Sequence, residues 1–292
     1  MLRFLYLTDT HFGAEPGAGW MLQPRCPAEL LEPLIDGLAR WLATSDVDFV
    51  LHGGDVIEAG RADQIALAMG LLRRLGKPVR VCLGNHDLLE ADSMARWRTA
   101  DGFLPSGQPN YVIQRPEAVI VVIAHHWNAI DPPYQWALDG PQVPVIDATQ
   151  MDMLVRAIKR AEAPGRPAIL LLHSPVVRFP HDGSRPDPMI EPHNTELLDA
   201  LLALAHRYAS LRVLLAGHSH VNRIAKVRDL TVVATAAFGE SPFEARLVSV
   251  DDGGIITIET PCFAELLGFD VPYDRERSFA QGDPSDRECI LR

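Results

Sequence analysis

The chain has 292 residues, 47% of them hydrophobic and 22% charged, the composition of an ordinary globular protein able to bury a large core. Its 38 acidic against 27 basic residues leave a net charge of -11, which argues against a protein that coats a phosphate backbone, although bound cations can reverse the field at a single site. No run reaches the ~18 apolar residues of a membrane span. The opening "MLRFLYLTDTH" is too short in apolar positions for a secretory leader, and Cys26, Cys82, Cys262 and Cys289 form no C-x-x-C pair, so a cytoplasmic chain with reduced thiols is the expectation.

In chain order, "LRFLYL" at 2–7 reads as a strand. Residues 28–43 carry Leu30, Leu31, Leu34, Ile35, Leu38 and Leu42 at helical spacing, with Pro33 best suited to a first turn. Strands follow at 48–52 ("DFVLH") and 79–83 ("VRVCL"), around a helical pattern over 62–75. The next strand is "AVIVVIA" at 118–124, then a helix over 149–162 with Met151, Leu154, Val155 and Ile158 on one face. "AILLL" at 168–172 and "RVLLA" at 212–216 bracket a helix over 194–208, for which Asn194 is the expected N-cap. The unbroken apolar character of these strands predicts burial on both faces. Three later runs, at 231–237, 245–250 and 255–260, alternate more, and "DDGG" supplies a hairpin signal among them. Strand and helix alternate and then strands dominate, which predicts an α/β layered sandwich. The expected organisation is one domain over 1–265 and a C-terminal extension or tail over 266–292, docked or frayed. The loops at 13–27, 88–110, 125–148 and 175–194 carry no recognisable code, and the last is long enough to act as a lid.

The residues just after the strands hold the chemistry. They are Thr8-Asp9-Thr10-His11, Gly53-Gly54-Asp55, Gly84-Asn85-His86-Asp87, His173-Ser174-Pro175 and Gly217-His218-Ser219-His220. Each alone is explicable as turn chemistry. Ligands in open α/β sheets bind beyond the carboxyl ends of the strands, so all five groups are expected to converge. Imidazole with carboxylate and no thiolate favours Zn, Fe, Mn or Co. D-x-H and H-x-H set two side chains on one side of an extended segment, and a carboxylate after two glycines can bridge two cations.

This ordered series resembles the calcineurin-like metallophosphoesterases, whose signature is D-x-H, G-D, G-N-H-[DE], H and G-H-x-H. The resemblance runs over roughly residues 1 to 260 and implies a four-layer αββα sandwich, two central mixed sheets flanked by helices. Carried over by residue, it implies two divalent or transition metal ions (Fe, Mn, Zn or Co). Asp9, His11 and His220 would hold the first; Asn85, His173 and His218 the second; Asp55 would bridge. Asn85 adds no charge, leaving its ion electrophilic. Asn85, His86 and His220 would face the substrate, with His86 protonating the leaving oxygen. The catalytic group is thus His86, Asp55 and Glu58. Glu58 stands where the family usually has Asp paired to that histidine.

"GDVIEAG" and "GNHD" depart from the phosphoprotein phosphatases, Glu58 replaces the tyrosine of purple acid phosphatases, and His86 separates the chain from the lipid-A pathway hydrolases. What remains is most similar to the bacterial class III cyclic-nucleotide and glycerophosphodiester phosphodiesterases. The implied activity is hydrolysis of a small phosphodiester by in-line attack of a hydroxide generated at the ion pair. A DNA nuclease, a phosphomonoesterase and a metal-binding scaffold are the alternatives. The acidic balance disfavours polymeric nucleic acid, no membrane partner is expected, and a homo-oligomer is compatible with the sequence. His125 and His126 are either substrate contacts or strand-end residues satisfied by backbone. His52 reads as core, His206 as a solvated helix residue, and His181 and His193 belong to the proline-rich loop.

Overall fold

The computed structural model describes residues 1–15, 25–26, 28–100, 102–131, 133–137, 143–177, 194–268 and 280–292. His181, His193 and most of the 175–194 loop lie outside them.

Two six-stranded sheets form the centre. The first runs β1 (Leu2–Leu7), β2 (Phe49–His52) and β3 (Val79–Val81) in parallel, then continues on the other side of β1 with β12 (Arg246–Val250), β13 (Ile256–Glu259) and β14 (Glu288–Leu291), all antiparallel neighbours. In the second, β5 (Val119–Ile123), β8 (Ala168–Leu171), β9 (Leu211–Ala216) and β11 (Leu230–Ala234) are parallel. Its edges are the antiparallel β4 (Asn110–Gln114) and β10 (Arg223–Val227). A small ribbon pairs β6 (His126–Trp127) with β7 (Pro144–Val145).

Helices cover the outer faces. α1 (Ala28–Thr44), α2 (Ala62–Arg73) and α3 (Ser93–Thr99) flank the first sheet, with α6 (Phe263–Leu267) against α1. α4 (Ala148–Glu162) and α5 (Thr195–Arg207) lie on the second. The period of two along the strands builds the layers. Ile120 and Val122 join the core shared with β1 and α1, whereas Val119, Val121 and Ile123 pack with Leu154 and Ile158 of α4. Both faces are therefore apolar, which is why these strands read as unbroken hydrophobic runs. The result is the expected four-layer αββα sandwich.

Asn194 caps α5 by accepting from Leu197 N–H at 3.0 Å. Asp147 caps α4 through a capping box with Gln150, a signal passed over in the sequence. Pro33 sits inside α1, not in its first turn. The helix forgoes one backbone hydrogen bond there, offset by complete burial of Leu34, Ile35 and Leu38 beside it. Within the 88–110 loop the chain folds α3, and the far end of the tail adds β14 to the sheet edge. The helix is only two turns long and β14 is half-solvated, so neither carries a strong periodic signal.

Candidate metal centre

All five strand-end groups come together where the two sheets meet. β1 delivers Asp9 and His11, β2 delivers Asp55, and the turn after β3 delivers Asn85 and His86. The second sheet contributes His173 after β8, and His218 and His220 after β9. The backbone here is costly. Asp9 (φ 55°), His11 (46°), Asp55 (49°), His218 (66°) and His220 (55°) all adopt left-handed conformations, each of order 1–3 kcal/mol for a residue with a side chain. Hydrogen bonds between loops hold them there. Asp9 N–H donates to the Gly54 carbonyl at 2.9 Å and His11 N–H to that of Asp55 at 3.0 Å; Gly239 N–H donates to the Asp9 carbonyl at 3.0 Å. Asp87, buried, accepts from the N–H groups of Val56, Ile57 and Gly84 at 3.0, 3.1 and 2.9 Å, lashing the turn after β2 to the turn after β3. Gly84 must be glycine: a Cβ there would lie 2.2 Å from Asp55 Oδ1.

The side chains fall into two sets that meet at Asp55. In the first, Asp9 Oδ1 is 3.3 Å from His220 Nε2, and His11 Nε2 faces the same His220 atom at 3.3 Å. In the second, Asp55 Oδ2 is 3.2 Å from His173 Nε2, and His218 Nδ1 is 2.9 Å from Asn85 Oδ1. Asp55 Oδ2 also lies 3.8 Å from His11 Nε2, while its Oδ1 is fixed by the His86 N–H at 2.9 Å. One carboxylate oxygen therefore points between the sets. Asp9-His11-His220 and Asp55-His173-His218 each present ligand atoms within 4.8 Å of one another.

These residues fit metal ions. His11 and His220 have Nδ1 against carboxylates, so their Nε2 atoms face each other across the space where a cation would sit, with both lone pairs offered to it once the rings are neutral. His173 Nδ1 meets the Gly53 carbonyl at 2.9 Å, and its buried Nε2 has no hydrogen-bond partner. Burial disfavours charge on both rings, yet Asp55 and Asp9 push His173 up to about 9, and Glu240 and Asp9 push His220 up to about 10. Burial would likewise raise Asp55, but His173, His86 and His11 hold its carboxyl well below the usual range. The pocket demands positive charge, which bound ions would supply.

His86 stands beside both sets. Its Nδ1 is 2.7 Å from the Glu58 carbonyl oxygen, its ring meets His11 edge-on at 4.7 Å, and Trp136 covers it at 5.2 Å. The Glu58 carboxylate stands 3.9 Å from His86 Nδ1, within ion-pair reach but too far for the expected hydrogen bond. The longer side chain carries the carboxylate past His86 to His11 Nδ1, at 2.9 Å, and to the Arg25 guanidinium. Backbone, not carboxylate, orients His86.

Sequence reasoning missed Glu240, whose Oε1 is 2.8 Å from His220 Nδ1, and the three-donor clamp at Asp87. "FGES" held no spacing signal that could have revealed the first; Asp87 stood in plain view in G-N-H-D. His125 is fully buried with Nδ1 on the His126 carbonyl at 3.0 Å and Nε2 accepting from Ser174 N–H at 3.3 Å. His126 pairs with Asp147 at 3.2 Å. His52 is core and His206 exposed.

Residues 2–222 match the calcineurin-like phosphoesterase family profile. The chain belongs to that family. Its members are phosphoric ester hydrolases that typically bind two divalent metal ions, and the donor sets above are where this chain would hold them. No curated protein sequence matches the chain. Among solved structures it is similar to a dimetal phosphatase from Danio rerio, at 16% identity over 90% of this chain and 96% of that one, with a TM-score of 0.69. A purple acid phosphatase from yellow lupin (Lupinus luteus) is 12% identical with a TM-score of 0.64; 97% of this chain spans 56% of that one. The anchor protein GAP50 of the Plasmodium inner membrane complex shares the fold too, at 12% identity over 90% and 84% of the chains, with a TM-score of 0.55. At these identities the likeness is of fold alone. No helix among the described residues is long and apolar enough to cross a membrane.

Proposed function

We propose that this family member is a dinuclear-metal phosphodiesterase of the class III type, acting on small phosphodiesters such as cyclic nucleotides or glycerophosphodiesters. Asp9, His11 and His220 would hold one cation, Asn85, His173 and His218 the other, with Asp55 between them. Such an ion pair supplies Lewis-acid polarisation of phosphoryl oxygens and a nucleophilic hydroxide near neutral pH. The observation that carries the ester-hydrolysis reading is the placement of His86. With Nδ1 on the Glu58 carbonyl, its Nε2 is the ring nitrogen left to serve the substrate, beside both donor sets. An alkyl diester, like an alkyl monoester, must expel an alkoxide, and a positioned imidazolium that protonates it lowers that barrier; the preference for diesters follows the resemblance of this chain to the diesterase branch. All seven candidate ligands are present, which favours an enzyme over the scaffold alternative.

The test is kcat/KM on metal-reconstituted protein for bis(p-nitrophenyl) phosphate and p-nitrophenyl phosphate. A higher value for the diester is expected. A higher value for the monoester would make the protein a phosphomonoesterase, and hydrolysis of DNA ends in preference to both would make it a nuclease.

A further inference from the structure

The two donor sets share Asp55 but are backed in different ways. In the first, a carboxylate stands behind each imidazole: Glu58 Oε2 at 2.9 Å from His11 Nδ1, and Glu240 Oε1 at 2.8 Å from His220 Nδ1. In the second, a neutral carbonyl backs His173 and the ring of Trp127 lies against His218 at 5.4 Å. Among the described residues, the carboxylates within 4.0 Å of a ring nitrogen of His173 are Asp9 and Asp55, and none comes so near His218. The first-set ligands are also the more anionic, because Asn85 brings no charge to the second.

The two backing carboxylates are held by one short stretch of chain. Arg25 donates to Glu58, and its backbone forms an antiparallel bridge with Glu240, continued by Cys26 N–H to the Gly239 carbonyl at 2.8 Å. Glu240 is 3% exposed, and its second oxygen is buried without a hydrogen-bond partner. A buried carboxylate in that condition is costly unless positive charge lies nearby. It also lies beyond residue 222, where the family match ends.

We propose that Glu58 and Glu240 are positioning residues that act through His11 and His220 to make the first site bind its cation more strongly than the second. The inference rests on the dinuclear reading above. Each carboxylate fixes the tautomer that leaves Nε2 to the ion and raises that atom's basicity. A proton competing for Nε2 carries one charge and the ion two, so removing the carboxylate weakens the ion's binding more than the proton's.

The experiment is calorimetric titration of the full-length, metal-free protein with Mn²⁺, in wild type, Glu58→Gln and Glu240→Gln. Wild type is expected to take up two ions in two resolved steps. Each substitution should loosen the tighter step ~10–100-fold, the usual cost of losing such a partner, while leaving the weaker step within about twofold. The step loosened should be the one that His220→Ala removes. Melting temperatures of the metal-free variants report whether folding is intact; should Glu240→Gln fail to fold, Glu58→Gln, with a side chain 24% exposed, carries the same test. Two ions with both steps unchanged, or loosened equally, would overturn the proposal and leave the dinuclear reading standing. Uptake of a single ion by wild type would overturn both.

Discussion

The floor of the site and the wall beside it are built by different means. The floor is over-determined by backbone: left-handed residues at five candidate ligands, loop-to-loop hydrogen bonds, and the buried Asp87 clamp. The wall, from β6 to Trp136, also has left-handed residues at Asn128 (φ 61°) and Tyr134 (φ 59°) and backbone pairing of β6 with β7, but leans more on side chains. His126 pairs with Asp147, Asn110 donates to Tyr134 Oη at 2.9 Å, the Tyr134 ring leans on His126 at 4.4 Å, tilted by 41°, and Trp136 packs against His86. A floor strained into one geometry fixes which atoms react. A ring in the wall can be replaced without touching that backbone.

The largest effect should come from the floor. Asp55→Ala removes the one carboxylate shared by both donor sets, so elemental analysis of reconstituted protein should fall from two ions per chain toward none, with activity lost in parallel. Retention of a full complement would place the bridge elsewhere. Next comes His86, which belongs to neither donor set. His86→Ala should keep the metal and cost ~10²–10⁴-fold on alkyl diesters, the usual worth of general-acid assistance, but much less on nitrophenyl diesters, whose leaving group needs no proton. Equal losses on both would make His86 a phosphate-binding group. At the wall, Trp136→Ala should raise KM for aromatic diesters up to ~10-fold, the range of one ring contact, with metal content unchanged. A fall in bound metal would merge wall and floor.

The smallest effect is a pH dependence of the metal-free fold. His52 accepts Gly54 N–H at Nδ1 (3.2 Å) and has Nε2 3.0 Å from Thr10 Oγ1; His125 is similarly engaged with backbone on both nitrogens. Neither ring has room for a second proton, and burial pushes both down to about 3. The unfolded chain, near 6.5 at these positions, binds more protons between those values. The stability these rings contribute is therefore full above about 6.5 and lost as pH falls toward 3. His173 and His220, pushed up to about 9 and 10, pull the other way, so the readout is a difference: in urea midpoints from pH 7.5 to 5, His52→Gln should lose less stability on acidification than wild type does. An equal loss would mean that His52 titrates normally.

The divide between floor and wall also marks what could be read in advance. The candidate ligands were legible because D-x-H, G-N-H and G-H-x-H stand as short words at the ends of apolar runs. The buried strands announced themselves through unbroken apolar runs, whereas the edges β4, β10 and β14, solvated in part, did not. Partners across the fold were not legible. Glu240 is twenty residues past His220, and only the turn that brings Gly239 against Asp9 places it behind that ring. Glu58 lies between two histidines, with its carboxylate 2.9 Å from His11 Nδ1 and 3.9 Å from His86 Nδ1, and no local spacing tells which of the two is the nearer.

The most direct test of the account is a crystal structure of the Mn²⁺-loaded protein with anomalous scattering recorded at a wavelength sensitive to the metal. Two peaks roughly 3.5–4 Å apart are expected on either side of Asp55, one between Asp9, His11 and His220, the other between Asn85, His173 and His218. A single peak, or peaks away from Asp55, would contradict it.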